Sequence, residues 1–383
     1  MILEVNKLLS RILSLFIVLI AFSCNEQVKH KTNSCDEQVK HKTKNNTESS
    51  YFEIRGFAQG STYSVIYQDS TKRDFLKEID SILSCYDLEL SIYNDASLLS
   101  EFNQSVYTPY CMVDQSQYLR SCFIKAKDAY HQTNGAFNPA IYPLVSYWGF
   151  YDDSMNKTIA NPNEIDSLLR LISFDDEAFF LTIDTITKGN ILLDSSPVIC
   201  KTILNSKLDF NGIAQGHSVD VVSCFIENQG VKNYMVEIGG EIRARGLNHK
   251  NSSWKIGIDK PVDNSSPGSE GFQVIIELTD NSLATSGNYR KFYKRDGVKY
   301  SHTIDPESGY PVQHSLLSVS VICNETALAD AYATAFMVMG VERSIEFIES
   351  NKELEINAYF VYSNKKGENK VWMTAGMEGY IAD

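Results

Sequence analysis

The stretch Ala327-Leu-Ala-Asp-Ala-Tyr-Ala-Thr-Ala-Phe-Met-Val-Met-Gly340 holds a single charge, Asp330, in an otherwise apolar helical run. Burying a lone carboxylate is costly, so it has to be paired or bound to a cation. Thr334 follows one turn later, and the i, i+4 spacing sets both side-chain oxygens on one helix face. A carboxylate with a hydroxyl is part of the hard-oxygen shell that Mg2+ accepts when waters and a phosphate complete it. The plainer alternative is an Asp favoured by the dipole near a helix N-terminus, with Thr334 bonded to its own backbone.

Around that helix, strands and helices are mixed without a regular βα alternation, which predicts an α+β fold with mixed or antiparallel sheets flanked by helices. Strands are expected over 51–57 and 62–67, around a turn at Gln59-Gly60, and over 179–183, 208–210, 234–238, 254–258, 272–278, 316–323 and 355–362. One helix carries Phe75, Ile79, Ile82 and Leu83; another starts at a Ser116 cap with Leu119, Cys122, Phe123, Ala126 and Tyr130 inward. Asn161-Pro162 opens a third, and 215–228, 328–339 and 341–350 complete the set. Asp296-Gly297 between two aromatic-rich runs reads as a hairpin turn.

With 43% hydrophobic and 22% charged residues among 383, wholesale disorder, a collagen and a polytopic membrane protein are excluded. No Pro-, Ser- or Gly-rich linker follows residue 50, so 51–383 is expected to be one large domain. Thirty-five Lys plus Arg against 48 Asp plus Glu give a net charge of −13, which repels a nucleic-acid backbone. A phosphate-bearing ligand then needs local donors or a metal ion.

Residues 1–50 read as an address and a tether. Lys7 and Arg11 precede an apolar run over 12–22 that suits a signal peptide and is short for a bilayer span. It ends in Ala21-Phe22-Ser23-Cys24, which resembles a bacterial lipoprotein cleavage site: 1–23 would be removed and Cys24 would carry lipid. Ordinary cleavage with an unmodified Cys24 is the alternative. In 24–50 an eleven-residue unit is duplicated with one Val per copy, which cannot build a core and reads as a flexible tether. The chain is thus expected in the cell envelope, anchored to a membrane and facing the periplasm. Its eight Cys show no CxxC or zinc spacing. Export permits disulfides but the sequence demands none, and Cys122, Cys224 and Cys323 read as small core residues.

Three more segments carry chemistry. In Ser301-His302-Thr303-Ile304-Asp305-Pro306-Glu307-Ser308-Gly309, Pro306 and Gly309 fix a turn, and His302 is either a base near neutral pH or a hairpin histidine bonded to backbone. Leu208-Asp209-Phe210-Asn211-Gly212-Ile213-Ala214-Gln215-Gly216-His217 is a strand entering a glycine-punctuated loop and a helix whose amino end can receive an anion. It is no P-loop, lacking the Gly-Lys-Ser/Thr ending. The paired glycines of Glu237-Ile-Gly-Gly-Glu241 allow close backbone approach.

Ahead of these lie Gly56-Phe-Ala-Gln-Gly-Ser-Thr-Tyr63, Leu90-Ser-Ile-Tyr93 with Ser100-Glu-Phe-Asn103, and Gly135-Ala-Phe-Asn-Pro139 with Trp148-Gly-Phe150. In this order, from about residue 51 to the end, the segments resemble the ApbE family of FAD:protein FMN transferases. The resemblance implies a single T-fold-related α+β domain and a Mg2+-dependent reaction in which FMN passes from FAD to a Thr or Ser hydroxyl of a redox protein, releasing AMP. It places the metal ligands on Asp330, Thr334 and the carbonyl of Ala214. Flavin contacts fall on Gln59, Ser91, Ile92, Tyr93, Trp148, Gly149, Phe150, Asn211, His217 and Ile304, and the base on His302. Gln59 stands where the family usually has Met, Gln215 where Lys is frequent and His217 where Tyr is frequent. The implied partners are FAD, the acceptor protein and, through the lipid, a membrane; nucleic acid is not among them. With water as nucleophile the same site would be an FAD pyrophosphatase, and without catalysis a flavin-binding carrier lipoprotein.

Overall fold

The α+β expectation holds in the computed structural model, which describes residues 51–113, 118–151, 160–188, 191–262, 271–288, 292–295 and 298–382. The signal peptide, Cys24, the tether, the Ser116 cap and the Asp296-Gly297 turn lie outside the described residues. β1 (Tyr51–Ala58) and β2 (Ser61–Gln68) form a hairpin, followed by α1 (Leu76–Leu90), α2 (Leu98–Gln104), β3 (Tyr110–Val113), α3 (Tyr118–Gln132), α4 (Tyr142–Tyr147) and α5 (Pro162–Leu169). Next come β4 (Phe179–Lys188), β5 (Ile191–Lys201), α6 (Ala214–Asn228), β6 (Tyr234–Ile238), β7 (Glu241–Arg245), β8 (Trp254–Asp259), β9 (Phe272–Leu278) and β10 (Asn281–Gly287). β11 (Phe292–Arg295), β12 (Val298–Ser301), β13 (Leu316–Cys323), α7 (Thr326–Ser350), β14 (Asn357–Ser363) and β15 (Asn369–Met373) complete the order.

Eight strands form one antiparallel sheet, β1-β2-β6-β7-β10-β13-β14-β15; β3-β5-β4, β8-β9 and β11-β12 are smaller sheets. Along β13, Val319 and Val321 face α7 while Ile322 faces the β8-β9 hairpin, the period of two that covers both sides of a sheet. α7 is apolar all round because it has two neighbours. Tyr332, Phe336 and Met337 pack on the sheet, while Ala327, Ala331, Ala335 and Val338 join a second core with Leu119, Phe123, Phe137 and Trp148. α6 lays Val219, Val222 and Ile226 on the Val65, Tyr67 and Val236 face beside it.

Carboxylates from neighbouring helices satisfy the N-terminal amides of the buried ones. Asp220 of α6 accepts from Thr326 N and Ala327 N at 3.0 and 2.9 Å, and Glu89 of α1 accepts from Tyr118 N and Leu119 N at 2.8 and 2.9 Å. Gly340 breaks α7 with φ 76°, which matches the expectation of two helices meeting there. No helix among the described residues is long and apolar enough to cross a membrane.

Two expectations are corrected, and the disulfide question left open by the sequence is answered. Residues 208–210 are not a strand: the Asn103 side chain takes the place of a partner strand, accepting from Leu208 N at 2.7 Å and donating to Leu208 O at 2.8 Å. Cys111 and Cys200, opposite each other on β3 and β5, form a disulfide that no spacing announced. Cys122 and Cys323 are buried as expected, but Cys224 lies on the exposed side of α6.

Candidate functional site

The inner end of the site is the start of α6 pressed against α7. Asp209 donates its N–H to Pro139 O at 2.7 Å, and its carboxylate accepts from Asn211 N at 2.7 Å and from the Tyr151 hydroxyl. The chain so held then runs along α7. A Cβ on Gly212 would lie 3.0 Å from Thr334 Oγ1, and one on Gly216 would lie 2.4 Å from Thr326 O. At 216 only glycine lets main chain approach main chain this closely, while at 212 the neighbour is the Thr334 side chain.

This contact defines the surroundings of Asp330. Its carboxylate is buried and accepts from Gly216 N at 3.2 Å, its one hydrogen bond among the described residues. Burial pushes the carboxyl up to about 7, against the pull of the Gly216 amide. Thr334, half-buried, stands one turn on, against Gly212. The Ala214 carbonyl, two residues before Gly216, accepts from Tyr86 Oη at 2.9 Å. No group of three His, Cys, Asp or Glu side chains close enough to hold a metal occurs among the described residues. The set of carboxylate, hydroxyl and carbonyl is all oxygen, so it fits a hard divalent cation and not zinc, and the under-compensated carboxylate is what such a cation would satisfy.

Of the α6 amides expected to receive an anion, several are occupied. Ile213 N and Ala214 N donate to Phe210 O at 2.9 and 2.7 Å, and Gly216 N donates to Asp330.

The rim is built from turns. Tyr93 is 68% exposed, and its hydroxyl accepts from Nδ2 of the exposed Asn211 at 3.3 Å. Tyr151 meets Tyr93 edge-on at 6.3 Å and stacks on Tyr142 at 4.7 Å. Ser91 shapes this turn, its Oγ accepting from Tyr93 N and Asn94 N at 3.2 Å each, while Ile92 packs on the helical core. Elsewhere on the rim the half-buried Phe150 lies 6.5 Å from the His302 ring. Trp148 is buried, and its indole N–H holds Gly309 O at 2.9 Å, which fixes the turn after His302; Gly149 supplies a bend with φ 74°. Ile304 is a core residue bridged to Pro311.

Two residues are placed differently from what the resemblance implies. His217 is 3% exposed: Nδ1 lies 3.0 Å from Tyr86 Oη and Nε2 3.0 Å from Ser121 Oγ, so the ring has no free nitrogen for a ligand. Burial, aided by Lys125, pushes it down to about 3 and keeps it neutral. Trp148 likewise offers no open face for stacking. Gln59, in the β1–β2 turn with φ 53°, accepts from Ser218 Oγ at 3.2 Å; its buried Nε2 has no partner among the described residues. The Gln215 amide occupies the space that a Cβ on Gly239 would need. Tyr86 and Tyr151 were not singled out by the sequence, and Asp209 stood in a quoted segment without a role. Asn103 stood in a quoted motif, but nothing in the motif told that its amide would clamp residue 208.

The ApbE family model matches residues 59–360. An FAD:protein FMN transferase of Vibrio cholerae is 35% identical over 305 residues, 78% of this chain and 84% of that one. Among solved structures, the flavin transferase ApbE from Vibrio cholerae aligns with a TM-score of 0.71 at 32% identity, covering 87% of this chain and 99% of that chain. Pseudomonas stutzeri flavinyl transferase ApbE, apo form, gives 0.72 at 31%, covering 86% and 96%. These likenesses make the chain an enzyme of the transferase class. It belongs to the ApbE family.

Proposed function

We propose that the chain transfers FMN from FAD to a Thr or Ser hydroxyl of an acceptor redox protein and releases AMP. The observation that carries the reading is Asp330, a buried carboxylate with one hydrogen bond, facing the glycine-tight start of α6. Asp330, Thr334 and the Ala214 carbonyl would hold Mg2+. Bound there, the ion supplies charge neutralisation for the pyrophosphate and the departing oxygen. His302 takes the proton of the acceptor hydroxyl as its oxygen attacks the phosphorus of the FMN half. A P–O bond to the acceptor forms, the pyrophosphate P–O bond breaks, and its electron pair leaves on AMP. Tyr93 and Asn211 orient the dinucleotide from the rim, with Phe150 beside His302.

Incubation with FAD, Mg2+ and an exported redox protein tests this. The acceptor is expected to gain the mass of one FMN with one AMP released per transfer. Free FMN with an unmodified acceptor would make water the nucleophile, and no AMP at all would overturn the reading. Residues 1–23 act as a lipoprotein signal and 24–50 tether the domain to the envelope; the Cys111–Cys200 disulfide supports an oxidising compartment. Cys24→Ala is expected to move the protein from the membrane to the soluble fraction, and retention at the membrane would remove the anchor.

A further inference from the structure

We propose that His217 is a positioning residue that acts through Tyr86: with its proton on Nδ1 it commits the Tyr86 hydroxyl to the carbonyl of Ala214. The inference deepens the metal reading above and rests on it.

Tyr86 Oη has one proton and two lone pairs, and it meets three polar neighbours: the Ala214 carbonyl at 2.9 Å, His217 Nδ1 at 3.0 Å and the Cys122 thiol. The carbonyl can only accept. When Nδ1 carries the imidazole proton, the ring donates to the hydroxyl, whose own proton then goes to the Ala214 oxygen, a stronger acceptor than the Cys122 sulfur. The bare Nε2 then accepts from Ser121 Oγ at 3.0 Å. That hydroxyl has a second possible acceptor, Tyr118 O at 3.1 Å, but the imidazole nitrogen is the more basic. All protons then point one way, from Ser121 through His217 and Tyr86 to Ala214, and no group is left unmatched. When Nε2 carries the proton, Tyr86 donates to Nδ1 and the carbonyl keeps only the donor its own helix supplies.

Tyr86 is 1% and His217 3% exposed, so water does not substitute for either. A side-chain donor on the carbonyl, beside the bond of its own helix, fixes the direction of the oxygen, which is how outer partners set metal ligands. This also gives a role to a histidine that stands where the family places a flavin contact yet is walled off from any ligand.

Two measurements decide it on the full-length protein. Nitrogen NMR of histidine-labelled protein is expected to show His217 as the Nδ1–H tautomer; the Nε2–H tautomer would overturn the proposal. Calorimetric titration with Mg2+ alone is expected to give a Kd about tenfold to a hundredfold higher for Tyr86→Phe, with the fold checked by its Tm. Asp330→Asn is the reference and should abolish Mg2+ binding. If it does and Tyr86→Phe binds like wild type, only the positioning role falls. If Asp330→Asn binds Mg2+ unchanged, the metal centre falls and this inference with it. Should Tyr86→Phe fail to fold, the wild-type tautomer still decides.

Discussion

The inner end and the rim of the site are made of different material. At the inner end, glycines at 212 and 216 let the main chain of one helix start touch another helix, and the polar groups there are buried and mutually bonded. At the rim, Tyr93 and Asn211 stand in solvent on turns, joined by one hydrogen bond. Contacts between backbones leave no slack, so the inner end ties function to fold. Exposed side chains on turns can change without disturbing the core, so the rim is where ligand preference is adjusted.

Asp330→Asn is the sharpest probe of the inner end because it separates chemistry from packing. The amide still accepts from Gly216, and a buried charge disappears, so the Tm of the metal-free protein should hold or rise. AMP release from FAD should fall on the order of a hundredfold or more, several kcal/mol of lost charge stabilisation. A large drop in Tm would instead make Asp330 a residue of the fold. Gly216→Ala breaks both at once. Its Cβ would meet main-chain atoms of Thr326, oxygen at 2.4 Å and carbon at 2.8 Å, and overpacking of this kind costs about 3 kcal/mol. Gly212→Ala meets side-chain atoms of Thr334 at 3.0 and 3.1 Å, which can shift, so urea denaturation should rank it well below Gly216→Ala.

The same division explains what the sequence made legible. Asp330 in its apolar helix could be read directly, since one charge in such a run has to be compensated; β1, β2, β6, β13 and β14 of the large sheet were read from the pattern, while β7, β10 and β15 were not. The partners of Asp330 could not be read. That Gly216 N faces it depends on how two helices 114 residues apart come together, which no local period encodes. Residues 208–210 had the composition of a strand, and only the structure shows an asparagine amide where a neighbouring strand was expected. Cys224 illustrates the limit of reading a face from pattern: the residues around it alternate as a helix core would, yet its own side points to solvent. His217 was given to the flavin by resemblance, and its burial came from the packing of α1 and α3, which carry Tyr86 and Ser121.

That buried imidazole also makes the inner end sensitive to acid in a way the rim is not. Its pKa is about 3 in the fold against 6.5 unfolded, so between these values only the unfolded state binds the proton. The contribution of His217 to stability therefore rises with pH across the window and drains as pH falls below 6.5, by about 2 kcal/mol at pH 5. Asp330, pushed up to about 7, contributes with the opposite sign over the same window, so the slope is read in an Asp330→Asn background: thermal midpoints there should rise from pH 5 to 8, and adding His217→Gln should flatten them; an unaltered acid limb would assign the loss to other groups.

The smallest effect is expected at Tyr93. With 68% of its surface in solvent, Tyr93→Ala should shift stability by no more than about 0.5 kcal/mol. If the ring stacks on FAD, its removal should weaken FAD binding by about 1 kcal/mol, roughly fivefold in Kd. Tyr93→Phe keeps the ring and loses only the acceptor for Asn211 Nδ2, a 3.3 Å bond between exposed groups, so it should bind like wild type. Equal losses in the two variants would mean that Asn211, held in place by the hydroxyl, is the group the nucleotide meets. The rim would then work by a fixed polar contact, as the inner end does, and the contrast between the two regions would narrow to burial alone.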